Sequence, residues 1–122
     1  MRKALLTLAI VSITATLYAQ APIGIPTSKF AWDQSAPVLA DAQAYTYKYY
    51  PDNAATGVTF TGVTCTGTVS PFQCEVNIPA FTPGSHSVTF TATNAAGESA
   101  KSSPFAFAFV VTPAIPSNIR IK

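Results

Sequence analysis

Histidine is the side chain that most often exchanges protons near neutral pH, and this chain has a single one, His86. As a general base it would need a Ser or Cys nucleophile within reach and a carboxylate that orients its ring. The residues around it do not supply that pair. They alternate so that His86 shares a face with Val88 and Phe90, which predicts a hydrogen-bonded structural histidine, with pH sensing as the alternative.

Carboxylates are the other groups that could act as acids, bases or metal ligands. The acidic residues stand far apart in the sequence: Asp33, Asp41, Asp52, Glu75 and Glu98. None of the spacings matches a calcium-binding loop or suggests a glycosidase pair, although a fold could still bring two of them together. We therefore expect no catalytic residues, no metal site and no cofactor. The sequence indicates that the protein is not an enzyme.

Residues 1–19 have the pattern of a signal peptide. Met1-Arg2-Lys3 is a short basic start, and the uncharged run 4–17 is too short to cross a bilayer as a helix, which needs about 20 residues. Cleavage is expected after Ala19, because cleavage after Ala21 would place a proline directly behind the cut. The mature protein is then secreted, in an extracellular or periplasmic location. An uncleaved membrane anchor is the alternative.

The chain has two cysteines, Cys65 and Cys74. In an exported chain a close pair usually oxidises, so we predict a disulfide. Closing a loop of about ten residues would stabilise the folded state by roughly 2 to 3 kcal/mol in the chain-entropy model. A metal site is the alternative, but two thiolates without nearby histidines supply only half of a zinc shell.

The mature chain would be electrically neutral, because Arg2 and Lys3 leave with the signal peptide and five basic residues then balance five acidic ones. The remaining basic residues are scattered singly: Lys29, Lys48, Lys101, Arg120 and Lys122. Nucleic-acid binding normally needs clustered cations that displace counterions from phosphates. We expect no nucleic-acid partner. No later stretch is long and apolar enough for stable membrane insertion after signal cleavage.

From residue 28 onward, apolar and polar residues alternate with a period of two, and helical periodicity is absent. The clearest strand is 72–78, which Pro71 and Pro79 bracket. Further strands are predicted at 23–25, 29–33, 45–49, 58–66 with an interruption at Gly62, 86–93 and 105–109. About seven short strands predict an all-β fold, an immunoglobulin-like antiparallel sandwich of two sheets.

Segment 81–99 resembles the most typical part of fibronectin type III domains. Pro83-Gly84 resembles the turn before the penultimate strand, and Ala92-x-Asn94-x-x-Gly97-x-Ser99 resembles the last hairpin. Segments 30–33 and 45–50 resemble the second strand, with its core tryptophan, and the third strand. These segments together cover most of residues 22–111.

The resemblance implies a fibronectin type III-like domain over residues 20–111. His86 stands where the family usually has a tyrosine, and the pair Cys65 and Cys74 is not a general feature of the family. The resemblance implies nothing specific about a ligand, because this sandwich serves many unrelated roles.

Two loops are candidate binding sites, because recognition on a rigid sandwich usually uses loops. Their candidate residues are Asn94, Gly97 and Glu98 in the first loop, and Tyr50, Asp52 and Asn53 in the second. The simpler interpretation is that Asn94 and Gly97 supply positive backbone angles for a turn. Likewise, Tyr50 is either exposed, where it could stack on a sugar or a protein, or packed.

Residues 112–122 form a C-terminal tail, in which 113–122 resembles the linker and first strand of another fibronectin type III domain. Three interpretations stay open: a disordered extension, the relic of a longer multidomain chain, or a strand that pairs with a neighbouring subunit. The last predicts self-association and rests on Ile119 and Ile121, which alternate onto one face.

These features favour a non-enzymatic extracellular or cell-surface module with an adhesive or structural role, acting through protein or glycan contacts. A virion or filament subunit is the first alternative. A small secreted hydrolase, or an inhibitor of one, is the alternative from another class, and a hydrolase would depend on His86.

Overall fold

A computed structural model describes residues 20–122, so the predicted signal peptide lies outside the described residues. The strands are β1 (Ile23–Gly24), β2 (Lys29–Gln34), β3 (Thr46–Pro51), β4 (Val58–Thr59), β5 (Thr64–Thr66), β6 (Phe72–Asn77), β7 (Gly84–Asn94), β8 (Gly97–Glu98) and β9 (Phe105–Phe109), and the helix is α1 (Leu39–Ala44). The predicted all-β class is confirmed. The described residues form nine strands, two more than predicted, because the segment 58–66 divides into β4 and β5 and because β8 was not predicted.

The strands form two sheets. The first has the order β1-β9-β7-β3-β4, with β8 also paired to β7, and the second has the order β2-β6-β5. All pairs are antiparallel except β1 with β9, where Ile23 lies opposite Ala108 in parallel register. The predicted strand at 58–66 is divided: β4 belongs to the first sheet and β5 to the second, with Gly62 at a φ of +77° between them.

One short helix, α1 (Leu39–Ala44), forms between β2 and β3, and it was not predicted from the sequence. Its sequence, LADAQA, is rich in alanine, the best helix former, and Asp41 lies in the first turn, where a negative charge is favourable. Six residues are too few to show a helical period in the sequence. The strand predicted at 45–49 therefore begins one residue later than expected, at Thr46.

The core lies between the two sheets. Phe30 of β2 meets Phe90 of β7 and Phe107 of β9 edge to face, with ring centroids 5.3 and 5.5 Å apart. In β6 the alternation that predicted a strand also predicts its faces, since Phe72, Cys74 and Val76 are buried while the residues between them face outward. This packing of rings from both layers holds the sheets together.

The predicted disulfide between Cys65 and Cys74 is confirmed. The two residues lie directly opposite each other on β5 and β6, and their Sγ atoms are 2.00 Å apart. The hydroxyl of Tyr47, on the first sheet, is 3.7 Å from both sulfurs and donates a 2.6 Å hydrogen bond to the carbonyl of Ala42. Burial raises the pKa of Tyr47 to about 12, so the hydroxyl keeps its proton and its donor role.

Candidate functional site

His86 is held by acceptors on both sides of its ring. Its Nδ1 lies 2.8 Å from Asp52 Oδ2, and its Nε2 lies 2.7 Å from the carbonyl oxygen of Thr82. A carboxylate and a carbonyl can only accept, so these two partners favour the protonated imidazole, in which both ring nitrogens donate. The hydrogen bonds to Asp52 and Thr82 raise the pKa of His86, and those from His86 and the Ser87 N–H lower the pKa of Asp52.

Asp52, His86 and Thr82 superficially resemble a catalytic triad, but the hydrogen bonds run the wrong way. A general base needs an unprotonated Nε2 facing the nucleophile, whereas this Nε2–H donates to a carbonyl, and Thr82 Oγ1 is 3.4 Å away. The ring also packs against Phe81, with centroids 5.0 Å apart. The arrangement fits a structural histidine that ties the turn after β3 to the start of β7.

The free energy of unfolding should fall as the pH rises through the pKa of His86 in the folded protein. Because that pKa is raised, the stability that His86 contributes is fully present below its unfolded-state pKa of about 6.5. It is lost as the pH rises from there through the folded-state pKa. The lowered pKa of Asp52 gives a second loss in acid, below its unfolded-state pKa of about 3.9. Urea unfolding between about pH 2 and 9 measures both slopes.

Asp52→Asn is the control for this pH dependence. It removes the carboxylate, so His86 should titrate closer to its ordinary pKa and the alkaline loss should move to lower pH. NMR titration of the His86 ring protons gives the pKa directly. A value in the parent protein at or below that of the variant would contradict the hydrogen-bonded pair.

Tyr50 and Glu98, from different predicted loops, meet on the outer face of the first sheet. The Tyr50 hydroxyl and the Thr91 hydroxyl both donate to Glu98 Oε1, and these bonds lower the pKa of Glu98. Lys101 Nζ lies 4.2 Å from the centre of the Tyr50 ring. A Cβ at Gly57 would come within 2.7 Å of the ring. Tyr50 is therefore a packed tyrosine, 8% exposed, and not a free stacking platform.

The other candidate loop residues shape turns. Gly97 has a φ of +129°, as the turn interpretation expects, whereas Asn94 has no positive φ and its side chain instead accepts the N–H of Ala96 at 2.9 Å. Asn53 has a φ of +60° in the turn after β3. In the described part of the chain, a single side-chain hydrogen bond joins the candidate residues of one loop to those of the other, and it runs from Tyr50 to Glu98.

A groove that the sequence did not predict lies beside β2, and we call it the β2 groove. It has a volume of about 520 Å³ and is lined by β2 on one side, by parts of the chain from Ser99 to Phe105 on the other, and by residues 22–24 at one end. Trp32, Phe90 and Phe105 give it an apolar surface, and Phe105 is 47% exposed. The β2 groove is larger than the shallow recess that Asn94, Gly97 and Glu98 line beside Tyr45.

Two local features leave the β2 groove open. The first strand, β1, pairs with β9 and not with β2, so the outer edge of β2 has no partner strand within residues 20–122. Between β8 and β9 the chain is held to β7 by serines: Ser99 Oγ accepts the N–H of Ala92 at 3.0 Å, and Ser102 Oγ accepts the N–H of Phe90 at 2.9 Å. Ser99, Ala100 and Ser102 line the groove, and their side chains are too small to fill the space in front of Trp32.

This geometry suits an extended polypeptide. The unpaired edge of β2 presents backbone N–H and C=O groups at strand spacing, and the groove beside it can take alternate apolar side chains. Asp33 is exposed on β2, and its carboxylate makes no hydrogen bond or ion pair with the described residues. The sequence assigned Trp32 and Phe90 to the core. Only the small residues Ser99, Ala100 and Ser102 hint that the sandwich is underfilled there.

The described part of the chain contains no group of three or more His, Cys, Asp or Glu side chains that could hold a metal ion. Nor does any helix within residues 20–122 have the length and apolar character needed to span a bilayer. Comparisons with models of protein families, with curated proteins and with solved structures found no match to this chain.

Proposed function

We propose that the protein is an exported, non-enzymatic binding module of the immunoglobulin-like, fibronectin type III kind, which binds an extended polypeptide along the β2 groove. The observation that carries this proposal is the unpaired edge of β2 beside an apolar groove of about 520 Å³. Strand addition to such an edge is a common mode of peptide recognition. The pattern of residues 1–19 supports export.

The strand order supports the finer fold assignment. In immunoglobulin-like sandwiches the fifth strand lies between the second and fourth, and the sixth lies between the third and seventh. Here β6 lies between β2 and β5, and β7 lies between β3 and β9. The short β4 and β8 are additions to this pattern. The parallel pairing of β1 with β9 takes the first strand away from β2 and leaves that edge free.

A polypeptide fits the groove better than a glycan does. Six residues of β2 offer a regular series of backbone donors and acceptors, which another strand satisfies at every second residue. A sugar ring could stack on Trp32 but would leave most of those groups to water. Side chains in the groove then set which sequences bind, and the edge supplies affinity that does not depend on sequence.

The proposal is tested with a phage-displayed library of random dodecapeptides panned against residues 20–122. Trp32 is the only tryptophan, so covering the groove should shift the fluorescence emission of the protein to shorter wavelength. We expect selected peptides to alternate apolar and polar residues and to produce this shift. A glycan array, read by the same shift, is the parallel arm. Failure of the panning to yield a peptide that shifts Trp32 would count against the proposal.

Phe105→Asp and Val58→Asp form a matched pair for this experiment. The two residues are similarly exposed, at 47% and 45%, but Phe105 lines the groove while Val58 lies on β4 at the far edge of the first sheet. Phe105→Asp should weaken peptide binding by about tenfold or more, because it places a charge in an apolar site. Val58→Asp should leave binding unchanged, and equal losses in both variants would place the peptide elsewhere.

A further inference from the structure

We propose that the β2 groove of one copy of this protein accepts residues 117–122 of a second copy, which add to β2 as a fourth strand of the β2-β6-β5 sheet. The inference rests on the proposed function, in which the groove binds an extended polypeptide. It names the partner: the C-terminal tail of an identical chain.

The tail is exposed and carries apolar side chains that find no cover in its own domain. Every residue from Val110 to Lys122 is exposed, and Ile115, Ile119 and Ile121 are 91, 89 and 100% exposed. Isolated exposed isoleucines are ordinary, but three within seven residues at nearly full exposure form an apolar stripe with nothing packed on it. An unfilled apolar groove and an uncovered apolar segment therefore occur in the same chain.

The tail matches β2 in length and in alternation. Residues 117–122 number six, as do the residues of β2. In an extended conformation Ile119 and Ile121 point to one side, where they can enter the groove beside Trp32, while Arg120 and Lys122 point to the other. Asn118, which has a φ of +54° in the free tail, would adopt the extended conformation on binding.

The charges are complementary as well. Phe30 and Trp32 of β2 face the core side, so Asp33 faces outward, on the side to which Arg120 and Lys122 would point. Asp33 makes no ion pair within residues 20–122, whereas Lys29, the other charge on β2, is already paired with Glu75 at 2.8 Å. Residues 112–122 contain no acidic residue that would repel Asp33. A strand with two cations on its outer face therefore suits this edge.

The geometry favours the tail of a second copy over the chain's own tail. The tail starts at one end of the groove, where the Val110 N–H bonds to the carbonyl of Gly24 at 2.9 Å. To enter its own groove the tail would have to reverse direction within residues 111–116. Thr112 and Ile115 each precede a proline and so favour an extended backbone, which carries the tail away from its domain.

Such a contact joins two different surfaces, a tail and a groove, so each copy can both give and receive a strand. Contacts of this kind close into rings or continue as filaments. Exchange of tails through the groove would therefore be one way for this protein to act as a filament subunit, the alternative function that the sequence suggested.

Sedimentation velocity of residues 20–122 from about 10 μM to 1 mM tests the proposal. We expect the average mass to rise above that of a monomer as the concentration increases. Replacing both Ile119 and Ile121 by serine should weaken association about tenfold or more, because the buried apolar surface of the strand is lost. Ile115→Ser is the matched control and should change nothing. A monomer at every concentration, or equal losses in both variants, overturns the proposal.

Charge reversal supplies a readout that a loss of folding cannot imitate. Asp33→Lys should weaken association several-fold, since it opposes Arg120 and Lys122. Adding Arg120→Glu and Lys122→Glu to that variant should restore association. Failure of the reversed tail to restore it would mean that these charges do not meet.

Cross-linking of a mixture of labelled and unlabelled protein distinguishes binding of a second copy's tail from binding of the chain's own tail. Equal amounts of ¹⁵N-labelled and unlabelled protein are treated with a carbodiimide, which joins amines to carboxylates in contact. A link between Lys122 and Asp33 should join labelled to unlabelled peptides, while the internal pair Lys29 and Glu75 should give only pure ones. Links from Lys122 to Asp33 within single chains alone would overturn the proposal.

The two proposals can fail separately. If library peptides bind at Trp32 but the protein stays monomeric, the groove binds polypeptides and its partner is another protein. If neither the peptides nor the tail shift the emission of Trp32, the groove is not a binding site and the proposed function fails as well.

Discussion

Phe30→Ala should lower the free energy of unfolding by about 4 kcal/mol. Phe30 is 6% exposed and its ring lies edge to face with four others, those of Phe60, Phe81, Phe90 and Phe107, at centroid distances of 5.3 to 6.3 Å. Truncation removes the buried ring, leaves a cavity between the sheets and breaks aromatic pairs, each of which contributes about 0.5 to 1.5 kcal/mol beyond its buried area.

Phe105→Ala is the control for Phe30→Ala. It removes the same ring from a strand residue that is 47% exposed and stacks mainly on Phe107, with centroids 6.2 Å apart. We expect it to cost about 1 kcal/mol, because less apolar surface is buried and solvent fills the space. Urea unfolding followed by fluorescence measures both variants. Similar losses in the two variants would show that Phe30 is not at the centre of the core.

Replacing Cys65 and Cys74 together by alanine should lower the free energy of unfolding by about 3 kcal/mol, within the usual range of 2 to 5 for native disulfides of small domains. The disulfide closes a loop with a sequence separation of 9 and links β5 to β6 directly across the ladder. Cys74 is fully buried, so the variant also loses packing against the core. A domain with a stability of 5 to 15 kcal/mol would lose a large fraction of it.

Reduction gives an independent measure of the disulfide. Dithiothreitol should lower the thermal midpoint of the parent protein towards that of the alanine variant, and it should leave the midpoint of the variant itself unchanged. Circular dichroism melting curves with and without the reductant provide the comparison. If reduction leaves the parent midpoint unchanged although mass spectrometry shows free thiols, the disulfide does not stabilise the fold.

Much of the fold could be predicted because each long strand carries its own signal. Phe72, Cys74 and Val76 alternate with polar residues, and this pattern gave both the strand and its buried face. Helix α1 was missed because six residues do not fill two helical turns and so show no helical period. The separation of β4 from β5 was missed because both strands are short. Their sequences do not show that β4 pairs with β3 in one sheet and β5 with β6 in the other.

The candidate site could not be predicted in the same way. The β2 groove is space that the side chains of residues 99–103 leave empty. This space can be recognised only once the positions of both sheets are known. Trp32 and Phe90 lie at alternate positions of their strands, as core residues do. This pattern correctly predicts the face on which each side chain lies, but it does not predict whether the edge of β2 is paired. The pairing of Tyr50 with Glu98 joins residues 48 positions apart, for which no local spacing exists.

Backbone hydrogen exchange along β2 and β6 tests most directly whether β2 is a free edge of the sandwich. In the monomer at low concentration, β6 pairs with β2 along its whole length and with β5 at residues 73–75, so the amides of residues 73–75 should all exchange slowly. Amides of β2 should alternate between slow and fast, because every second residue of an antiparallel edge strand points its N–H away from the sheet. Slow exchange at every β2 amide of the monomer would mean that another strand already covers this edge, and fast exchange throughout β6 would contradict the sheet itself.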